Sequence, residues 1–335
     1  MKIAVLAPIA WRTPPLKYGP WEKVASMLTE NLVKKGHDVT LFATGDSVTS
    51  AKLRWVCETP YEIDKSADPK VLECLHISFL MEKAAEFDII HNHFDFLPLT
   101  YSRLIKTPMI TTIHGFSSEK ILPVYIKYNS TSAYISISNA NRHPDLSYLE
   151  TIYHGLEPSD FIFSNKKENY LLYFGRIHPD KGLHSAIEIS EKSGLPLKIA
   201  GLIQDDNYFN SLFSKIDGQQ IEYLGNLGRE DSIKLLTSAK ALLHPIYFEE
   251  PFGLSVLEAM MSGTPVIAFN KGSMPELIVN GKTGFLIGNV AEAVNSIDKL
   301  EKIEPEDCRR HAIQNFSIDK MTDSYIRAYK KVLNQ

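Results

Sequence analysis

Leu171-Leu172-Tyr173-Phe174-Gly175-Arg176-Ile177-His178-Pro179-Asp180-Lys181-Gly182 opens as a short apolar run, breaks at a glycine, and crosses a polar loop into a stretch of helical periodicity. That sequence of events describes a strand feeding a helix. The same alternation extends in both directions. Downstream it predicts strands over 197–200, 221–224, 241–244 and 266–268, with helices near 182–192, 229–238 and 253–261. Upstream it predicts strands over 3–7, 39–43, 89–91, 109–113 and 133–137. Helices fall over 21–35 and 71–86, the first opened by Pro20 and closed at Gly36. Repeated βα units build parallel sheets, so the fold class is α/β and doubly wound. The pattern restarts after His154-Gly155-Leu156-Glu157-Pro158, where Gly and Pro interrupt any regular element. This places one Rossmann-like domain over 1–156 and a second over 157–316, with a cleft expected between them. The last stretch, 318–333, has the periodicity of an amphipathic helix.

A length of 335 residues suits two domains of roughly 150 residues each. The net charge of −4 is spread without a basic stripe, which excludes a nucleic-acid footprint. Cys57, Cys74 and Cys308 have no metal or disulfide spacing, and a reducing cytoplasm fits them best. The opening MKIAVLAPIAWRTPP is too short and too interrupted for a signal peptide or a span. No apolar run of about 18 residues occurs elsewhere, so any membrane contact is expected to be peripheral, at the inner face.

Ligands of open α/β sheets bind beyond the carboxyl ends of strands. Arg176 and Lys181 stand on such a loop, where two permanent cations can offset a diphosphate without a divalent metal. A solvated basic turn is the plain alternative for that octet alone. The second segment, Glu249-Glu250-Pro251-Phe252-Gly253-Leu254-Ser255-Val256-Leu257-Glu258, crosses a loop into a helix. Free amides at Phe252-Gly253-Leu254 can receive phosphate oxygens. Glu250 and Glu258 would be repelled by phosphates unless they bind hydroxyls instead, one on a sugar and one on a ribose. An exposed helix glutamate is the ordinary reading of Glu258, but Leu254, Leu257, Met261 and the following SGTPVIA make this segment read as interior.

These residues resemble the GT-B glycosyltransferases of family 4, the retaining group 1 enzymes. The GRxxxxKG octet, the E-x7-E pair, the SGTPVIA strand and the loop Pro275-Glu276…Gly281-Lys282-Thr283-Gly284-Phe285 carry the likeness. The resemblance implies hexose transfer from a nucleoside-diphosphate sugar, with UDP-glucose as the expected donor, to a glycan, lipid or small-molecule acceptor in polysaccharide or glycoconjugate synthesis. It implies that Arg176 and Lys181 hold the diphosphate, Glu250 the transferred sugar and Glu258 the ribose, with the Gly225-Asn226-Leu227 loop against the base. Gly19 would lie near the donor phosphate, although Pro20 has no amide proton to offer. His114, at a strand end, would reach the donor sugar. The family's terminal helix crosses back, which would add 317–335 to the first domain. No cofactor or metal is implied. His91-Asn92-His93 lacks a third ligand nearby, so His93 and Asp95 are expected to line the acceptor side.

Three rivals stand beside this reading. A nucleotide-sugar epimerase or a phosphorylase would share the fold. A nucleotide-sugar-binding scaffold would have lost one of Arg176, Lys181, Glu250 and Glu258, all of which are intact. A two-lobed periplasmic binding protein would need a signal peptide. The dinucleotide fingerprint GxGxxG is absent after the first strand, which disfavours a dehydrogenase.

Overall fold

The structure, a computed structural model, describes residues 1–116 and 118–334. Contacts divide the chain into two compact units, Met1–Gly155 with Ile318–Gln335, and Leu156–Ser317. Gln335, the last residue of the expected terminal element, lies outside the described residues.

Among the described residues the first unit holds seven strands: β1 Lys2–Leu6, β2 Asp38–Phe42, β3 Lys52–Arg54, β4 Ile89–Asn92, β5 Met109–Ile113, β6 Ala133–Ser136 and β7 Tyr148–Thr151. They pair in parallel in the order β3-β2-β1-β4-β5-β6-β7. The second unit holds β8 Leu171–Phe174, β9 Leu197–Ala200, β10 Ile221–Tyr223, β11 Ala241–His244, β12 Val266–Phe269 and β13 Gly284–Ile287. Their order is β10-β9-β8-β11-β12-β13, again parallel. Both sheets are doubly wound. The order reverses between β1 and β4 in one and between β8 and β11 in the other, and such switch points open a crevice at the strands' carboxyl ends.

Strands that a parallel sheet buries on both faces must be apolar throughout, which is why the short Val- and Ile-rich runs were legible. β1 after Lys2 and all of β11 are buried. Three strands escape the sequence reading. β3 and β7 are half-exposed edge strands with mixed residues. β13 occupies Gly284 and Phe285, which the pattern read as loop, because its glycine lets the strand lie against the Val266 backbone. The helix expected over 71–86 is instead Pro69–Met81, capped by the Asp68 carboxylate, followed by a separate 3-10 turn Ala84–Glu86. Short helices such as Leu122–Tyr128, Asp206–Leu212, Val290–Ile297 and Pro305–Phe316 were not anticipated.

The final helix, Ile318–Leu333, packs on the helix Pro20–Lys34 of the first unit. Met321, Tyr325, Ala328 and Tyr329 join a core with Ile3, Val5, Ile110 and Ile135. Asn31 Nδ2 donates to Thr322 Oγ1 at 2.9 Å, and Lys35 pairs with Asp323 at 2.8 Å. The chain therefore returns to its first unit. Among the described residues no helix is long and apolar enough to cross a membrane.

Candidate active site

The switch point of the second unit gathers the charged residues. β8 and β11 are neighbours, with Tyr173 beside Leu243, so the loops that follow them emerge together. The β8 loop carries Arg176 and then the 3-10 turn Pro179–Lys181. Its course is fixed by backbone and by Tyr173, whose hydroxyl donates to the Arg176 carbonyl at 2.7 Å. Gly182, at φ +70°, ends the turn where an added Cβ would lie 1.9 Å from the Pro245 carbonyl oxygen. Only glycine lets the β8 loop press this closely on the β11 loop.

Lys181 Nζ donates to Glu250 Oε2, and the two side chains are only 14% and 12% exposed. His244 Nε2, at the end of β11, lies 3.5 Å from the same oxygen. Burial pushes the Glu250 carboxyl up, but the Lys181 charge and the nearby imidazole outweigh it and bring the pKa to about 2. Glu250 is thus a buried, permanent anion. The Lys181 ammonium also sits 4.6 Å from the centre of the Phe248 ring. Arg176 is oriented by the Gln204 side-chain oxygen and lies 3.5 Å from Asp180. Gln204, His244, Phe248 and Asp180 carried no signal as site residues in the sequence; each is defined by what it holds.

The Glu250 backbone is clamped in turn. Its carbonyl accepts from Ser273 N at 2.9 Å, and an added Cβ on Gly272, at φ +55°, would meet Glu250 N at 2.3 Å. The helix Leu254–Met261 starts from Gly253, and its own hydrogen bonding begins when Val256 and Leu257 N donate to Gly253 O at 3.1 and 3.2 Å. The amides ahead of them form the positive end of the helix. The Phe252 ring, 2% exposed and 6.2 Å from Phe316, belongs to the core, so this residue can offer a ligand its backbone alone. Glu258 is buried in the helix interior. Asn226 and Leu227 are half-buried on the loop after β10.

The first unit has its own cluster at the carboxyl ends of the neighbouring strands β4 and β5. Successive side chains of a strand alternate faces, so His91 and His93 share one face and Thr112 and His114 the matching face of β5. His93 Nδ1 and His114 Nε2 lie 2.9 Å apart. His91 Nδ1 meets Tyr329 OH at 2.7 Å, and its Nε2 meets Thr112 Oγ1 at 2.8 Å. Trp21 stacks on His114 at 5.5 Å and His154 lies 5.2 Å from it, ring to ring. Burial, reinforced by neighbouring histidines, holds His91, His93 and His114 well below the usual imidazole range, and burial takes His154 to about 3. His93 is fully buried, with no exposed face to line an acceptor.

Beside Gly19, which caps the helix Pro20–Lys34, Glu22 is 3% exposed. Burial raises its carboxyl to about 7, against the opposing pull of the Glu22 and Trp11 amides. Asp95, at φ +91°, departs from ordinary non-glycine backbone. Burial lifts its carboxyl to about 6 although Tyr125 OH donates to it. No group of three or more metal-ligating side chains occurs among the described residues.

A family model described as glycosyl transferases group 1 matches residues 158–316, and one described as glycosyltransferase family 4 matches residues 22–144. The chain belongs to the group 1 glycosyltransferases of family 4. Glycogen synthase of Mycobacterium tuberculosis is 24% identical over 86% of this chain and 84% of its own length. Sucrose-phosphate synthase of Thermosynechococcus elongatus superposes with a TM-score of 0.81 at 17% identity, covering 100% of this chain and 99% of that one. Anabaena HepE, solved in complex with UDP-glucose, superposes at 0.74 with 19% identity, covering 99% and 100%. The fold of this glycosyltransferase is GT-B, two parallel α/β domains with the terminal helix returned to the first.

Proposed function

We propose that this glycosyltransferase takes a hexose from a nucleoside-diphosphate sugar, UDP-glucose by first choice, and transfers it with retention of anomeric configuration. The observation that carries the donor reading is the convergence of Arg176, Lys181, Glu250 and a helix start at one switch point. Arg176, Lys181 and the first amides of Leu254–Met261 supply the positive potential that a diphosphate leaving group needs, so binding requires no divalent metal. Glu250, held as an anion, accepts hydrogen bonds from sugar hydroxyls and Glu258 from the ribose. Asn226 and Leu227 lie against the base, Gly19 near the phosphate, and His114 toward the transferred sugar.

In the proposed reaction the bond from the anomeric carbon to the phosphate oxygen breaks, and the acceptor hydroxyl forms its bond on the same face. The acceptor proton passes to the departing phosphate oxygen. The acceptor is a glycan or lipid, met in the cytoplasm or at its membrane face. The solved complex of Anabaena HepE with UDP-glucose supports the choice of donor. Calorimetric titration with UDP and UDP-glucose in the presence of a chelator tests the reading. Binding is expected to survive chelation and to be lost in Arg176→Ala. Binding that needs a divalent metal, or that ignores Arg176, would refute it. Mass analysis of turnover distinguishes transfer from epimerisation, which leaves the nucleotide sugar's mass unchanged.

A further inference from the structure

Helix Leu254–Met261 has a far end as well as a start, and the last carbonyls of a helix need partners from outside its own ladder. Those of Glu258, Ala259 and Met260 accept from the amides of Ser262, Gly263 and Thr264. The carbonyls of Met261 and Ser262 are left over, and each meets a cation. Arg309 Nη1 donates to the first at 2.6 Å and Lys167 Nζ to the second at 3.3 Å. Neither cation makes a salt bridge among the described residues. Their remaining hydrogen bonds go to the carbonyls of Pro158, Phe161 and Thr237 and to the Thr264 hydroxyl. Lys167 serves a second helix in the same way, because Thr237 lies in the last turn of Arg229–Ser238 and its carbonyl accepts from Nζ at 2.8 Å. That helix begins directly after the loop Gly225-Asn226-Leu227, and Leu254–Met261 begins at Gly253. The two helices that end on Lys167 therefore both start at loops assigned to the donor.

An amide or a hydroxyl would satisfy these carbonyls too, and would cost less to desolvate than a full charge. Burial does act against both cations: it brings Lys167 down to about 8 and lowers Arg309 from its ordinary value. The negative pole at the helix ends offsets that cost. Once that pole is cancelled, what the helix presents at its start is an uncompensated positive end. The eight-residue helix is about 12 Å long, short enough for a charge at one end to be felt at the other through protein of low dielectric. We propose that Lys167 and Arg309 are positioning residues for the donor: they cancel the negative pole of Leu254–Met261 and pin its last turn, so that its first amides act on the diphosphate as a net positive charge. This rests on the proposed reading that the diphosphate lies at that helix start.

The experiment measures the dissociation constants of the full chain for UDP and for uridine, which carries no phosphate, in Lys167→Gln and Arg309→Gln. Each substitution keeps a hydrogen-bond donor for the same carbonyls and removes the charge. Thermal melting establishes that each variant is folded at the assay temperature. UDP affinity should fall about fivefold in each, the effect of one charge lost from a helix end, while uridine affinity changes less than about twofold. A merely structural slackening would move Glu258 with its helix and weaken both ligands alike. Equal weakening of UDP and uridine, or no change in either, overturns the proposal, and one folded variant is enough to decide. Arg176→Ala in the same series separates the two readings. If the unsubstituted protein binds UDP, Arg176→Ala loses it and the glutamine variants bind as the unsubstituted protein does, the helix-end proposal fails alone. If the unsubstituted protein does not bind UDP, the donor reading fails and takes this proposal with it.

Discussion

Replacing Lys181 with Met leaves Glu250 buried beside His244 with no cation to balance it. The lowering of Glu250 from its ordinary 4.5 to about 2 corresponds to about 3 kcal/mol of favourable interaction with its charged form. Because the side chains of the pair are 14% and 12% exposed, this is a buried pair, and solvent screening does not erase it. Removing one partner of such a pair costs about 3–5 kcal/mol. Lys181→Met should therefore destabilise by about 3 kcal/mol at pH 7.5. Lys181→Met with Glu250→Gln should cost less than the sum of the single changes, by about 2 kcal/mol. The pH dependence adds a second constraint. In the native protein the depressed carboxyl contributes stability above pH 4.5 that is lost as pH falls toward 2. In Lys181→Met burial prevails, the Glu250 pKa rises, and the variant regains part of its deficit as pH falls from 7.5 to 4. Urea unfolding followed by circular dichroism at several pH values measures all three quantities. A cost under about 1 kcal/mol, unchanged with pH, would show a solvated surface pair and refute the reasoning.

Glu22 behaves in the opposite sense. Its pKa is raised to about 7 in the folded protein, so its contribution is complete below pH 4.5 and is lost as pH rises through 7. Glu22→Gln should remove that slope and exceed the native protein in stability at pH 8 by about 3 kcal/mol at most, read from denaturation at pH 5 and pH 8. Gly182→Ala should cost at least about 2 kcal/mol, since the new methyl meets the Pro245 carbonyl and the backbone is left-handed there. UDP affinity should fall with it; a variant that binds UDP normally would show that the loop contact does not shape the donor site. Glu258→Gln should weaken free UDP and UDP-glucose alike, whereas Glu250→Gln should spare free UDP and reduce transfer. Equal loss of UDP affinity in both variants would reverse the assigned roles.

Buried strands with a single apolar character were legible because a parallel sheet allows little else, and β5, β8, β9 and β11 fall at the residues expected. Edge strands β3 and β7 were not, since half-exposed strands need no such pattern. The same distinction governs the site. Arg176, Lys181 and Glu250 announce themselves through charge on loops that must follow strands, and Glu258 through its fixed spacing from Glu250 into the following helix, which is local information. That Lys181 pairs with Glu250 across 69 residues, or His91 with Tyr329 across 238, is set by strand order and by the return of the last helix. Neither partner's immediate sequence records it. The sequence presents Lys181 as a free cation awaiting a phosphate, whereas the fold gives it a buried anion first. Any diphosphate that docks there must share that ammonium with Glu250, so the carboxylate weakens Lys181's attraction for phosphate while fixing its direction. A site built this way gives up some affinity for preorganisation. On this reasoning Glu250 can reduce transfer when substituted without raising the dissociation constant for UDP, because the loss of alignment and the release of Lys181 act on binding in opposite directions.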